Sequence, residues 1–481
     1  MDGVVDPQPY KESARTKQDE ATLMYSFTIC VLAVLPTALF FVLARLERGT
    51  AVPPPTFILG WTLLFGYTLK GLYLAYTLNS DLTHRLAYFG DKNLDLGAFA
   101  TVYGVMAFLV GYLAVGKTRL RLTSTSLRLH PTLTHIFYYG LFCVSLILMM
   151  TFFWKMGFLT QVMSLQLVAT KYFVLEQGDY ATSLGFLTMG GDFLLILALY
   201  YAVFTPKLKA LNVYTFTAVF LFLCYFLSSR RNAVLIMIIA FLMVRGIRKA
   251  PKKVGRKFAR IVLVGVVLAT LSFASQIRGR SEVSAKDLDL LSALEISAEH
   301  TLRGAYFMDI SKTAAIITET KRRDVFQLGQ SYTAVVFAPI PRVLWPGKPA
   351  IRNSYFVGDD LLDLRSKSGA PPSGIAELYM NFGWLGIGLG MLLVGGVIRL
   401  AYNNYLAAPD KRFARVPYAI TMLCLVLFML ADFGMAVLFF IRYAIAIFVC
   451  HHYWMSILSR RQSDIPLAQR SLREKHWEAT G

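Results

Sequence analysis

Apolar runs of about 20 residues, the length that carries a helix across a hydrocarbon core, recur along the whole of this 481-residue chain. Eleven are readable, over residues 22–44, 56–78, 97–115, 133–154, 183–204, 211–228, 233–247, 260–277, 373–402, 416–431 and 436–457. In lipid every backbone N–H and C=O must find its partner within the protein, so such runs are expected as helices. Composition agrees: 56% of residues are hydrophobic and only 16% charged, against roughly 25% charged in soluble chains. That is too little charge to coat a water-facing surface, which excludes a soluble enzyme and a disordered chain. The expected fold class is an all-α polytopic membrane protein with about eleven transmembrane helices. Arg45 and Arg48 follow the first run where a signal peptidase would need small residues, so it is read as a retained span. Pro36 and Gly66 inside runs are tolerable where neighbouring helices satisfy the freed backbone groups.

The formal charge of +20 would suggest nucleic acid in a soluble protein, but here it is first a topology signal. Segments 45–55, 116–132, 205–210, 245–260, 403–415 and 458–481 carry 2, 4, 2, 8, 3 and 5 Lys or Arg, 24 together. The alternate set, 1–21, 79–96, 155–182, 229–232 and 432–435, carries 3, 2, 2, 2 and 0, or 9. The first set is therefore expected in the cytoplasm. The divisions are an outer N-terminal tail over 1–21, eight spans within 22–277, a large outer loop over 278–372, three spans within 373–457, and a basic cytoplasmic tail over 458–481. One alternative stays open: if residues 156–175 cross, everything upstream inverts.

Within the outer loop, residues 287–319 place Leu291, Leu294, Ala298, Leu302, Ala305 and Phe307 near helical spacing, the pattern of a helix or helix pair lying along the membrane face. Ser331–Ile340 is apolar but too short to span, and is expected to be buried or re-entrant. Pro339 to Pro349 reads as a rigid loop. The five cysteines (Cys30, Cys143, Cys224, Cys424 and Cys450) all fall within runs, which argues against disulfides. The seven histidines show no metal-ligand spacing, so no metal is expected.

One motif has the wrong surroundings. Gly111 to Thr118 matches the phosphate-loop pattern GxxxxGK[ST], which works only between a strand and a helix. Here it closes an apolar span, and a chance match is the better reading. Gly386 and Gly390 likewise fit close helix packing better than dinucleotide binding.

Charge inside the runs is more telling, because an ionisable group in hydrocarbon costs at least about 2.5–3.5 kcal/mol. Lys70, Asp192, Arg230, Arg231, Arg278, Arg280, Glu377, Asp432 and Arg442 all fall, under this topology, in the outer half of the membrane or at its outer boundary. Taken singly, Asp192 or Asp432 could pair with Lys70 or Arg442, Arg278 and Arg280 could anchor a helix end, and Glu377 could sit opposite a helix dipole. Taken together, six cations against three carboxylates form a net-cationic outer pocket suited to a phosphate or pyrophosphate.

Three stretches carry a resemblance: Ser228-Ser-Arg230-Arg231-Asn232, Pro339-Ile-Pro-Arg342-Val-Leu-Trp345-Pro-Gly-Lys348-Pro349, and Pro371-Pro-Ser-Gly-Ile-Ala-Glu377-Leu-Tyr379-Met-Asn381-Phe-Gly383. With the span layout and the large outer loop, the chain resembles the Wzy-type O-antigen and exopolysaccharide polymerases. The resemblance implies a GT-C-like glycosyltransferase of the bacterial inner membrane, its active site facing the periplasm. Its substrates would be undecaprenyl-pyrophosphate-linked oligosaccharides, with membrane lipid and a chain-length regulator as further partners, and with no metal, nucleotide, other cofactor or nucleic acid. The expected catalytic residues are Glu377 as base, with Asp192 or Asp309 in reserve, and Arg230, Arg342 and Arg442 against the departing pyrophosphate. Arg231, Arg278, Arg280, Arg303, Lys348, Lys70, Asp192, Trp345 and Tyr379 are expected to contact substrate. Two rivals remain. An O-antigen ligase shares the topology and the donor, and a transporter of lipid-linked glycans would carry its charges near the midplane on repeated halves.

Overall fold

The computed structural model of the chain describes residues 8–47, 53–77, 93–119, 130–155, 189–204, 310–337, 353–363 and 370–463, with 187, 240, 340 and 345 singly. Every regular element among them is helical. In chain order these are α1 (Gln8–Leu46), α2 (Pro55–Leu63), a π-helical turn (Leu64–Thr68), α3 (Leu69–Thr77), α4 (Leu94–Ala114), α5 (Pro131–Lys155), α6 (Met189–Phe204), α7 (Ile310–Arg323) and α8 (Gln330–Val336). A short turn (Asn353–Tyr355) and a second π turn (Phe356–Leu361) precede α9 (Gly374–Ala407), α10 (Lys411–Leu430) and α11 (Phe433–Ser463).

Seven helices among the described residues are long and apolar enough to cross a membrane: Phe27–Leu46, Pro55–Tyr76, Leu94–Ala114, Pro131–Phe152, Gly374–Ala407, Lys411–Leu430 and Phe433–Arg460. Met189–Phe204 is a shorter apolar helix in the fifth expected run. Apart from Ala240, the expected runs over 211–228, 233–247 and 260–277 lie outside the described residues, as does most of the expected outer loop.

Side chains from neighbouring helices repair the backbone where the sequence interrupts it. Pro36 has no N–H to give the carbonyl of Leu32 one turn earlier. The Tyr67 hydroxyl donates to that carbonyl at 3.2 Å, and Thr68 Oγ1 donates to the next one, Ala33, at 2.8 Å. Both donors sit in the π turn between α2 and α3.

Lipid supplies no hydrophobic drive between spans, so close packing must hold them. The α4–α9 contact is the clearest case. A Cβ on Gly111 would lie 1.9 Å from the Leu392 carbonyl oxygen, and one on Gly395 would lie 2.1 Å from that of Phe108. The two backbones touch, and only glycine fits. Gly116, at φ +55, ends the helix and gives its carbonyl to Arg399 and Asn403 at 2.9 Å each. The phosphate-loop match is thus accounted for by a packing glycine and a helix-ending glycine.

Two ends of the bundle are defined by their contacts. At one, Arg399 forms an ion pair with Glu47, hydrogen-bonds the Tyr112 hydroxyl at 3.1 Å and lies 4.8 Å from its ring centre. Thr56 donates to Glu47 at 2.7 Å, and Asn403 donates to the Thr118 carbonyl at 2.8 Å. This clasp gathers residues flanking 48–52, 120–129 and 408–410, connections that the charge bias assigns to a single side. At the other end, Tyr25 meets Asp95 at the start of α4, and the turn between α10 and α11 meets the start of α9.

The direction of α5 and α6 bears on the open topology alternative. Tyr138 stacks on Tyr453 at 3.7 Å and Phe204 packs on both Phe413 and Trp454, which places the start of α5 and the finish of α6 at the Glu47 end. Gly190 abuts the Ser145 carbonyl and Met149, and Asp192 meets Arg442 near the other end. The chain therefore leaves α5 and enters α6 at the same end. Residues 156–175 themselves lie outside the described residues.

The ninth run, expected as one span over 373–402, requires correction. Phe382 (φ −139°, ψ 19°) and Gly383 (φ 62°, ψ −150°) leave helical geometry in the middle of α9. A Cβ on Gly390 would lie 2.3 Å from Leu378 Cδ2, although twelve residues of straight helix span about 18 Å. The chain therefore doubles back at Gly383, whose positive φ suits glycine. A short arm over 374–381 lies against a long arm over 384–407, with Gly386 and Gly390 forming the seat for Leu378. As expected, this glycine pair serves packing.

Gly111→Val forces α4 away from α9, so a loss of about 1–3 kcal/mol is expected from overpacking. It should be read as a lower thermal midpoint of the purified protein in detergent.

Candidate functional site

The short arm of α9 carries Glu377, a carboxylate with no exposed surface. Such a group must be hydrogen-bonded or paired, and two elements supply such bonds. Asn353 Nδ2 donates to Oε1 at 2.7 Å, and the Phe433 N–H, the first of α11, donates to Oε2 at 2.6 Å. Ser373, the residue before the arm, fixes the same junction by donating its N–H to the Ala431 carbonyl at 2.7 Å. Asp432, 2% exposed, lies close enough to Glu377 to act on it as a like charge, and its own Oδ1 caps α11 by accepting from the Met435 N–H at 2.6 Å. Each carboxylate oxygen of Glu377 retains a second acceptor site.

Asn381 stands one helical turn after Glu377 on the same face and is also fully buried. Its Nδ2 donates to the Glu377 carbonyl at 2.9 Å and to Ser331 Oγ at 2.9 Å, and its Oδ1 accepts the Gly329 N–H at 2.9 Å. One amide thus closes the short arm and fastens the start of α8 to it. Gln327 N–H donates to the Met380 carbonyl at 2.9 Å, a second tie between the same segments.

The helix α7 covers the other side of the arm. Ile316 packs with Ala376, Met380, Val357 and Leu361. Lys312, one turn before Ile316 on that face, has no exposed surface. The last turn of α7 reaches the segment bearing Asn353, because Arg323 Nη1 donates to the Asp360 carbonyl at 2.8 Å. Arg322, hydrogen-bonded at 2.6 Å, holds the Glu319 carboxyl below its ordinary range. That pair is surface-exposed and contributes little to stability.

The other expected residues are distributed as follows. Arg442 Nη1 meets Asp192 Oδ2 at 3.4 Å, with Tyr443 donating to Asp192 Oδ1 at 3.5 Å. Two residues expected at the site therefore bind each other, and Arg442 lies about 13 Å along α11 from Phe433. The contact uses one of the five guanidinium donors. Lys70, 3% exposed, follows the π turn and precedes Gly71, which abuts Ala33 and Ile310. Tyr379 points away from the Glu377 face, since two residues turn a helix by about 200°. It is 3% exposed and packs against Phe326 and Trp384 at 6.1 and 5.5 Å. Trp345 meets Phe337 edge-on at 5.4 Å. Arg230, Arg231, Arg278, Arg280, Arg303, Asp309, Arg342 and Lys348 lie outside the described residues.

Sequence reasoning passed over Lys312, Ser331, Tyr332, Asn353 and the role of Asn381. Two signals were present. Asn381 follows Glu377 at helical i,i+4 spacing, and Lys312 stands one turn before Ile316 on an otherwise apolar face. Ser331 and Asn353 reach the site only through tertiary contact and carried no local signal.

A bundle of membrane-crossing helices with a shielded carboxylate on a doubled-back arm defines a polytopic membrane protein with a buried carboxylate near one end. The family described as O-antigen polysaccharide polymerase Wzy matches residues 23–460. The chain belongs to that family, whose members are glycosyltransferase-type polymerases of membrane-bound repeat units. No curated protein and no solved structure matches it.

Replacing Asn381 by Ala leaves the Gly329 N–H and Ser331 hydroxyl without their acceptor. A loss of about 1–3 kcal/mol is expected, measured as a fall in thermal midpoint, with faster hydrogen exchange at Gly329 as the local readout.

Proposed function

We propose that this protein joins undecaprenyl-pyrophosphate-linked oligosaccharide repeat units en bloc at the periplasmic leaflet of the inner membrane. The carrying observation is Glu377: a wholly buried carboxylate, held by Asn353 and Phe433, at the end of the bundle opposite the basic connections. A hydroxyl of the incoming repeat unit donates its hydrogen bond to Glu377 and attacks the anomeric carbon of the growing chain. The new glycosidic C–O bond forms as the bond to pyrophosphate breaks. The acceptor proton passes to Glu377, and undecaprenyl pyrophosphate leaves with the electron pair. Fixed cations in a low-dielectric site stabilise the charge that builds on the leaving group. Arg230, Arg342 and Arg442 are assigned that work, with Arg231, Arg278, Arg280, Arg303, Lys348 and Lys70 placed along the lipid-linked diphosphate. Asp192 orients Arg442. The donor arrives already activated as a pyrophosphate ester, so the bond change itself calls for neither a sugar nucleotide nor ATP. A chain-length regulator is the expected protein partner.

The purified protein, reconstituted with a lipid-linked repeat unit and no added nucleotide, should yield a ladder of longer lipid-linked glycans. Transfer only to a lipid A core would instead mean ligation, and movement across the bilayer without elongation would mean transport. Glu377→Gln should reduce elongation about 10²- to 10⁴-fold, the usual worth of a positioned base. A folded Gln variant that elongates at the normal rate removes Glu377 from the mechanism.

A further inference from the structure

The helix α8 brings a second group to Glu377. The ring of Tyr332 meets Phe433 edge-on at 4.9 Å and Phe382 at 6.3 Å. Its hydroxyl points inward, beside the Asn381 amide and within the field of the Glu377 charge. That hydroxyl is buried beside the Asn381 amide, and its own hydrogen finds no acceptor among the described residues. A buried polar hydrogen without an acceptor is costly, and one this close to a candidate base calls for a reason. Packing alone gives none, because phenylalanine would keep both ring contacts and avoid the cost. The orientation is held deliberately: Asn381 bonds Gly329 N–H and Ser331 Oγ, the two residues that set the first turn of α8.

We propose that Tyr332 is a substrate-binding residue, whose hydroxyl hydrogen-bonds the attacking hydroxyl of the acceptor sugar while that hydroxyl donates to Glu377. Asn381 is the positioning residue that aims it. The chemistry selects this ligand class. A hydroxyl both donates and accepts, so it satisfies the carboxylate and the phenol together. A phosphate would bring negative charge against Glu377 and Asp432. An ammonium would bond the carboxylate but offer the phenol no acceptor. Phe382, 47% exposed at the break in α9, adds an aromatic face beside the phenol on which the apolar face of a sugar ring can lie. The assignment rests on the proposed polymerase reaction and adds to it which neutral group recognises the acceptor.

The test uses the full-length protein in proteoliposomes with a fixed pre-elongated donor and a titrated single-repeat acceptor. Tyr332→Phe removes one oxygen and leaves the ring contacts. The lost bond should raise the acceptor KM about 3- to 10-fold, the worth of one neutral hydrogen bond. The donor KM and the thermal midpoint should be unchanged, or the midpoint slightly raised. Tyr332→Leu, which also removes the ring, should raise the acceptor KM at least as far, at a lower midpoint. An unaltered acceptor KM in the Phe variant overturns the assignment, as does a KM change that affects donor and acceptor equally. If the unsubstituted protein forms no ladder, the polymerase reading fails first, and that outcome is read separately from the behaviour of the variant.

Discussion

The Glu377 carboxylate has to be hydrogen-bonded because it is buried, and the surrounding architecture follows from how that is done. Its two observed donors come from segments far apart in sequence, the Asn353 turn and the first N–H of α11. Neither reaches it unless the short arm of α9 doubles back, so the break at Phe382–Gly383 and the burial of Glu377 are a single structural commitment. Asn381 then carries the constraint outward. It ties the arm to α8, so the polar interior and the loop over it form one hydrogen-bonded unit. A straight ninth helix would have kept the run's hydropathy and lost this arrangement.

The opposite end of the bundle works by different physics. There Arg399 and Glu47 share Tyr112, Thr56 and backbone carbonyls across α1, α2, α4 and α9. Each charge has a partner and each partner lies on another helix, which suits a clasp that fixes helix ends. The Glu377 end keeps carboxylate oxygens with spare acceptor sites and the Tyr332 hydroxyl, whose own hydrogen finds no acceptor among the described residues.

Much of the architecture could be read from the sequence because it rests on local rules. Run length marked the spans, basic bias grouped the connections now seen at the Glu47 end, and paired glycines predicted close packing at Gly386 and Gly390. Glu377 stood out because an acid in an apolar run needs a reason. What escaped was set by contacts between distant segments. Hydropathy cannot register a reversal inside an apolar run, so α9 read as one span. Lys312 sits in a helix polar enough to read as surface. The sequence left open whether Asp192 pairs with Arg442, 250 positions away, and the fold places the two together. Many of the expected cations lie outside the described residues, so the cationic half of the pocket stands on sequence.

The π turn at Leu64–Thr68 has a further consequence for evolution of the chain. A π turn accommodates one residue more than the α-helical path needs and takes up the extra rotation locally. Deleting a single residue there would leave Lys70 and the side chains beyond it in register, but would close the widened turn from which Tyr67 and Thr68 reach the Leu32 and Ala33 carbonyls of α1. The extra residue is therefore tied to the repair of α1 at Pro36, and relatives should keep or lose the two together.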